Sequence, residues 1–220
     1  MPGDYVYYST RTTVRAAPGP GYLDRHRMRR LLPALLCVVV AAAVAAAVIA
    51  ATGEKPGQPK SAAPPEKEAA ASLAGAPAPL AALHDQSSEL LDGGPEAFKQ
   101  RLAALKGYPV VVNMWGSWCG PCRAEFPYFQ RQAIERGKKV AFLGVDGQDS
   151  EADAEEFLEE YPVAYPSYKD PDLKIAGVIK AIGPFPATVF YDRKGEIAHL
   201  KQGGYRDEGA LAQDIERYAR

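Results

Sequence analysis

The sequence predicts an α/β domain carried behind a single N-terminal transmembrane helix. Three observations support that expectation. Residues 31–52 form an apolar block without one charged side chain. Residues 109–115 are a near-continuous apolar run of strand length and residues 139–146 a second, as expected of strands buried on both faces. Segments with apolar residues at helical spacing lie around these runs, and strands alternating with helices are the pattern of an α/β sheet.

Bulk composition narrows the function classes. The chain is 47% hydrophobic and 24% charged with a net charge of −1, and no Lys/Arg cluster lies in its folded part, so a nucleic-acid partner is excluded. Three cysteines are too few for a disulfide scaffold, and two of them form a C-x-x-C pair. His26, His84 and His199 are scattered through unrelated segments, which leaves no set of zinc ligands. No metal and no cofactor is expected; a redox pair is the reading left.

Residues 1–30 carry Tyr, Thr and Arg without apolar periodicity and read as a disordered cytoplasmic tail. Arg25, Arg27, Arg29 and Arg30 stand directly before the apolar block and favour an N-in, C-out orientation. As a helix, residues 31–52 span ~33 Å, the thickness of the hydrocarbon core. Pro33 falls in the first turn, where its missing N–H costs little. The alternative is a signal peptide cleaved near Val48-Ile49-Ala50, but the block is longer than a usual h-region, and a retained signal-anchor is preferred. Both readings export the rest of the chain. Cys37 follows Leu36 rather than the small residue that precedes a lipidated cysteine, and reads as an inert hydrophobe. Residues 53–86 are rich in Ala and Pro and read as an extended stalk.

Residues 87–220 are assigned to the domain. Residues 95–106 read as a helix with Phe98, Leu102 and Leu105 on one face, followed by the strand 109–115. A helix over 119–137 and the strand 139–146 come next. Residues 151–161 form a helix whose Ala154, Phe157, Leu158 and Tyr161 face the core, and whose many carboxylates read as a solvated face rather than a metal site. A shorter element covers 172–181. Strands at 187–191 and 196–200 are joined by a turn in which Gly195 supplies positive φ. Asp207 is the expected N-cap of a last helix carrying Leu211, Ile215 and Tyr218. The order is α-β-α-β-α-(α)-β-β-α, without an internal repeat.

The chemistry centres on Trp118-Cys119-Gly120-Pro121-Cys122, between a buried strand and a helix. A cysteine at a helix N-terminus meets unpaired N–H groups and the positive end of the macrodipole, which favour thiolate over thiol. Cys119 is therefore expected to be the exposed nucleophile, and Cys122, one turn later, the buried resolving thiol. Two intervening residues let the sulfurs meet across one turn, so resolution is intramolecular. Cys119 attacks a substrate disulfide, and Cys122 then displaces the substrate and closes Cys119–Cys122.

This motif resembles the active site of thioredoxin. Its wider setting, from Val112 through Trp115 to Arg123-Ala124-Glu125-Phe126-Pro127, is similar to the TlpA/ResA-like, membrane-anchored branch of the thioredoxin-like superfamily. Pro184-Phe185-Pro186-Ala187-Thr188 is a second block of the same kind. The resemblance implies a central mixed sheet flanked by helices, with a cis proline facing the cysteines. Pro186 takes that place and Phe185 flanks it; Pro184 competes but has the poorer spacing to the strand. Pro127 would kink the long helix. Asn113 stands where cytosolic thioredoxins carry a buried Asp and cannot accept a proton from Cys122, so Glu125 is read as the acid that tunes or shuttles it, against an exposed carboxylate of the first turns. Residues 147–181 match the family's insertion, whereas the segment before Pro109 looks like a simple helix without a strand-rich start. Trp115, Trp118, Phe126 and Phe185 are candidates for an apolar collar, Trp118 being the expected substrate contact.

The expected function is reduction of protein disulfides outside the cytoplasm. Family resemblance implies an integral membrane electron donor and places cytochrome c maturation among the tasks served. Two alternatives are an oxidase or isomerase of exported proteins and a thiophilic-metal (copper) chaperone. The latter would want a third soft ligand near the pair.

Overall fold

The computed structural model describes residues 66–220. The expectations for the tail, the anchor over residues 31–52, Cys37, the cleavage alternative and the stalk over residues 53–65 lie outside the described residues. Among the described residues no helix is long and apolar enough to cross a membrane.

The described chain runs α1 (Glu66–Leu73), α2 (Ala78–His84), β1 (Leu90–Leu91), α3 (Gly94–Ala104), β2 (Val110–Trp115), α4 (Gly120–Arg136), β3 (Ala141–Gly147), α5 (Glu151–Glu160), β4 (Ser167–Asp170), α6 (Lys174–Val178), β5 (Ala187–Tyr191), β6 (Ile197–Gln202) and α7 (Glu208–Tyr218). The strands form one sheet in the order β1-β4-β3-β2-β5-β6. β1, β4, β3 and β2 run parallel, while β5 is antiparallel to both β2 and β6. This is the mixed, helix-flanked sheet of a thioredoxin-like fold.

Strand β2 shows how sequence becomes layers. Its side chains alternate between faces. Val111 and Trp115 join a core built with Phe126, Phe129 and Ala133 of α4, Phe157 and Leu158 of α5, and Leu211 and Ile215 of α7. Val110, Val112 and Met114 join the opposite core with Leu80 and Leu83 of α2, Phe98 of α3 and Ile175 of α6. Both faces are covered, which is why the strand reads as an apolar run. The expected core residues of α5 are buried and its carboxylates exposed. Gly195 has φ 82°, and Asp207 caps α7 by accepting from the N–H of Ala210 at 2.8 Å.

Three expectations need correction. The stalk assigned to residues 53–86 does not hold over its described part, because residues 66–86 contain α1 and α2, and these pack on the domain. Leu73, Leu80 and Leu83 are buried in the two cores. Pro77 precedes α2 and Pro79 lies in its first turn, positions without a helical N–H partner, so neither proline prevents a helix. Alanine elsewhere in the segment favours one. Second, the 147–181 region contains the strand β4, which sequence reading passed over. Third, β1 stands between α2 and α3 and pairs with β4, so the segment before Pro109 is not a simple helix.

Candidate active site

Strand β2 ends at Trp115, and three residues later the chain enters α4 with Cys119 as its N-cap. Cys119 Sγ accepts the N–H of Cys122 at 3.2 Å, so the sulfur occupies the position in which a capping oxygen would satisfy a free helix N–H. Cys119 and Cys122 are joined as a disulfide, S–S 1.97 Å and Cα–Cα 5.3 Å. Here the expectation of an exposed Cys119 is corrected: Cys122 is fully buried and Cys119 only 4% exposed. In the disulfide both sulfurs lie within the core cluster of Trp115 and Phe126.

Trp118 is 54% exposed, its ring 4.8 Å from that of Phe185. Its Nε1–H donates to the carbonyls of Gly147 and Gln148 at 3.3 and 3.1 Å. Trp115 and Phe126 are buried in the core, so of the proposed collar only Trp118 and Phe185 border the site. The Phe185–Pro186 peptide is cis, while Pro184 is exposed. The Pro186 carbonyl accepts the N–H of Gly203 at 2.8 Å, which ties the proline to the loop between β6 and α7. Pro127 lies inside α4, where it lacks the N–H that would continue the ladder.

Glu125 is fully buried, which overturns the alternative of an exposed carboxylate. Its Oε2 accepts the N–H of Tyr205 at 2.9 Å, and Oε1 has no partner among the described residues. Burial pushes its pKa up to about 7, opposed in part by the Tyr205 hydrogen bond and the Lys201 ammonium. Gly204 marks where the parts converge. A Cβ placed there would lie 3.5 Å from Glu125 Oε2 and 3.6 Å from both Pro121 Cβ and Pro186 Cγ. The turn between the cysteines, the cis proline and the acid thus meet around one glycine. Asn113 is buried on β2 near the Tyr165 phenol, whose pKa burial pushes up.

Residues 74–200 match the model of the AhpC/TSA family. The chain belongs to this family. Among curated relatives it is similar to the thiol-disulfide oxidoreductase ResA of Oceanobacillus iheyensis, 35% identical over 106 residues that cover 47% of this chain and 54% of the relative. It is also similar to ResA of Geobacillus kaustophilus, 30% identical over 121 residues covering 54% and 66%. The chain thus spans between half and two thirds of the length of these relatives. A Chlorobium tepidum structure described as a candidate thiol:disulfide interchange protein DsbE aligns at 29% identity and TM-score 0.48, over 53% of this chain and 83% of that one. The ResA-like relationship read from the motifs stands within the AhpC/TSA family.

Other residues of the site were not found from sequence. Tyr205 and Gly204 reach it from the loop before α7, about which local pattern says nothing. Asp146 and Asp149 flank the redox loop. A carboxylate closing an otherwise apolar strand, at the sheet end where α/β proteins place their sites, was a usable signal for Asp146.

Proposed function

We propose that the chain is a thiol–disulfide oxidoreductase that reduces disulfides in exported proteins, anchored by residues 31–52 with its domain on the outer side of the membrane. The observation that carries the reading is the Cys119–Cys122 disulfide at the N-terminus of α4, with the buried Glu125 and the cis Pro186 converging beside it. ResA-like relatives support the reaction class. The arginines before the apolar block support the location.

In the reducing cycle the Cys119 thiolate attacks one sulfur of the substrate disulfide, and the other leaves as a thiolate. Cys122 gives its proton to the Glu125 carboxylate and attacks Cys119 Sγ, releasing the second substrate sulfur. Substrate gains two electrons, the two released thiolates take up protons from solvent, and the protein is left as Cys119–Cys122. Near neutral pH a carboxyl with a pKa of about 7 can both take and return that proton. Trp118, Phe185 and the cis Pro186 form the surface against which substrate chain docks. Each turnover requires two electrons from inside the cell, which calls for an integral membrane donor. Cytochrome c maturation, in which haem-site cysteines must be kept reduced, is one task that fits.

The test is the potential of the Cys119–Cys122 couple, measured on the full chain in glutathione and dithiothreitol buffers. A value near that of thioredoxin, about −270 mV, supports the reductase. A value near that of strong oxidants, about −120 mV, overturns the direction and makes the chain an oxidase of exported proteins.

A further inference from the structure

The loop that joins β2 to α4 is held from outside by the turn between β3 and α5. Ser117 donates its backbone N–H to Asp149 Oδ2 and its hydroxyl to Asp149 Oδ1, the latter at 2.8 Å. Asp149 Oδ1 also accepts the N–H of Ser150 at 3.0 Å. Trp118 is fixed by the carbonyls of the same turn, as described above. None of these partners belongs to α4, yet together they set where Trp118 and the N-cap Cys119 sit.

Behind Asp149 stands Asp146, near the C-terminal end of β3 and 3% exposed. Its Oδ1 has no hydrogen-bond partner among the described residues, and Asp149 lies within hydrogen-bonding reach of its carboxyl. Two carboxyl groups share a hydrogen bond only when one carries a proton. Other charged groups do not relieve the pair. Asp170 on β4 adds negative charge and gives both oxygens to the N–H groups of Ile175 and Ala176 at 2.9 and 2.8 Å. Lys169, the neighbour of Asp146 in the sheet register, is held by Asp92 and by Glu151 of α5 at 2.7 and 2.9 Å. Lys174 of α6 is paired with Asp172. Among the described residues Asp146 therefore faces anions without a free cation, and burial with the Asp149 charge pushes its pKa up to about 8.

We propose that Asp149, steadied by the buried Asp146 carboxyl, is a positioning residue that holds the redox loop and so sets the reactivity of Cys119. The proposal rests on the redox reading of Cys119 and Cys122. As pH rises past about 8, Asp146 ionises. Asp149 then loses its donor, faces a second anion, and its hold on Ser117 weakens.

The full chain in its oxidised form, with tryptophan labelled at the indole nitrogen, tests this by NMR. Only two tryptophans give signals, and the disulfide cannot titrate. The Trp118 indole signal is expected to shift with a midpoint near 8, and the step to vanish in Asp146→Asn, whose amide still donates to Asp149 but does not ionise. Asp149→Ala is expected to speed exchange of the Trp118 indole N–H at pH 7 by about tenfold or more, the consequence of losing hydrogen bonds to a charged group. Reduction of insulin by the dithiol form of that variant should slow several-fold. Should Asp149→Ala fail to fold, Ser117→Ala must still speed indole exchange by about threefold, because one of the two bonds is lost. A step near pH 8 that persists in Asp146→Asn, or indole exchange unchanged in the Asp149 or Ser117 variant, overturns the proposal. Failure of the wild-type chain to reduce insulin while the indole step is present overturns the reducing direction and leaves the loop assignment standing.

Discussion

Replacing Glu125 by Gln removes an ionisable group from a fully buried position while keeping its shape. The carbonyl of Gln can still accept the N–H of Tyr205, so the one hydrogen bond of the side chain is retained. In the wild type the carboxyl is raised from 4.5 to about 7, chiefly by burial. Between those two values the native state keeps a proton that the unfolded chain has released, so stability falls as pH rises across this window and is level above it. At about 1.4 kcal/mol per pH unit, the ionised group costs the folded state about 3 kcal/mol at pH 8. Glu125→Gln should therefore match the wild type near pH 4 and exceed it by about 3 kcal/mol at pH 8, or roughly 6–12 °C in Tm for a chain of this size. The assay is urea unfolding of the oxidised full chain at pH 4 to 8, where neither cysteine titrates. Asp146 lowers stability over an overlapping window, so the quantity to follow is the difference between variant and wild type, in which its contribution cancels. A difference that stays constant from pH 4 to 8 would refute the burial argument.

Three further outcomes follow from the geometry. Cys122→Ser should accumulate a mixed disulfide between Cys119 and a protein substrate, visible on non-reducing gels, and Cys119→Ser should trap none; equal trapping by both would reverse the assigned roles. Gly147→Ala would bring a Cβ within 2.6 Å of the Phe185 ring and displace it from Trp118. Up to about tenfold loss of kcat/KM on protein disulfides is expected, the worth of one aromatic pair, with small disulfides unaffected. Leu80→Ala should destabilise the chain by about 2–5 kcal/mol in urea unfolding, as a buried leucine does, whereas a stalk residue would change it by less than about 0.5 kcal/mol.

What was legible in the sequence was local or strongly patterned. Cys119 and Cys122 declare their chemistry within one turn of helix, Asp207 announces α7, and the apolar run of β2 follows from helices covering both its faces. Pro186 was placed by resemblance and bears the cis peptide. What escaped was fixed by partners far along the chain. β4 is short, lies between Pro166 and Pro171, and contains Ser167, whose hydroxyl is buried because Trp115 donates to it at 3.1 Å. α1 and α2 were hidden by prolines whose position relative to a helix start decides their effect. Glu125 was singled out by resemblance as the acid beside Cys122, but its burial could not be read locally, because the loop whose Tyr205 N–H it accepts lies 80 positions later.

The burial of Glu125 also gives Asn113 a physical account. A strand residue at that place is fixed to the sheet, and Asn offers Cys122 no group that can take a proton. Glu125 instead lies three residues after Cys122 on α4, so acid and resolving thiol share one helix face and keep their spacing whenever that helix shifts against the sheet. Burial raises its pKa, and the Tyr205 N–H of the β6–α7 connection and the Lys201 ammonium of β6 oppose that rise. That same connection holds the Pro186 carbonyl through Gly203. The connection that donates to Glu125 therefore also holds the cis proline, so the buried acid and the candidate docking surface share one support, and a change in this loop reaches both.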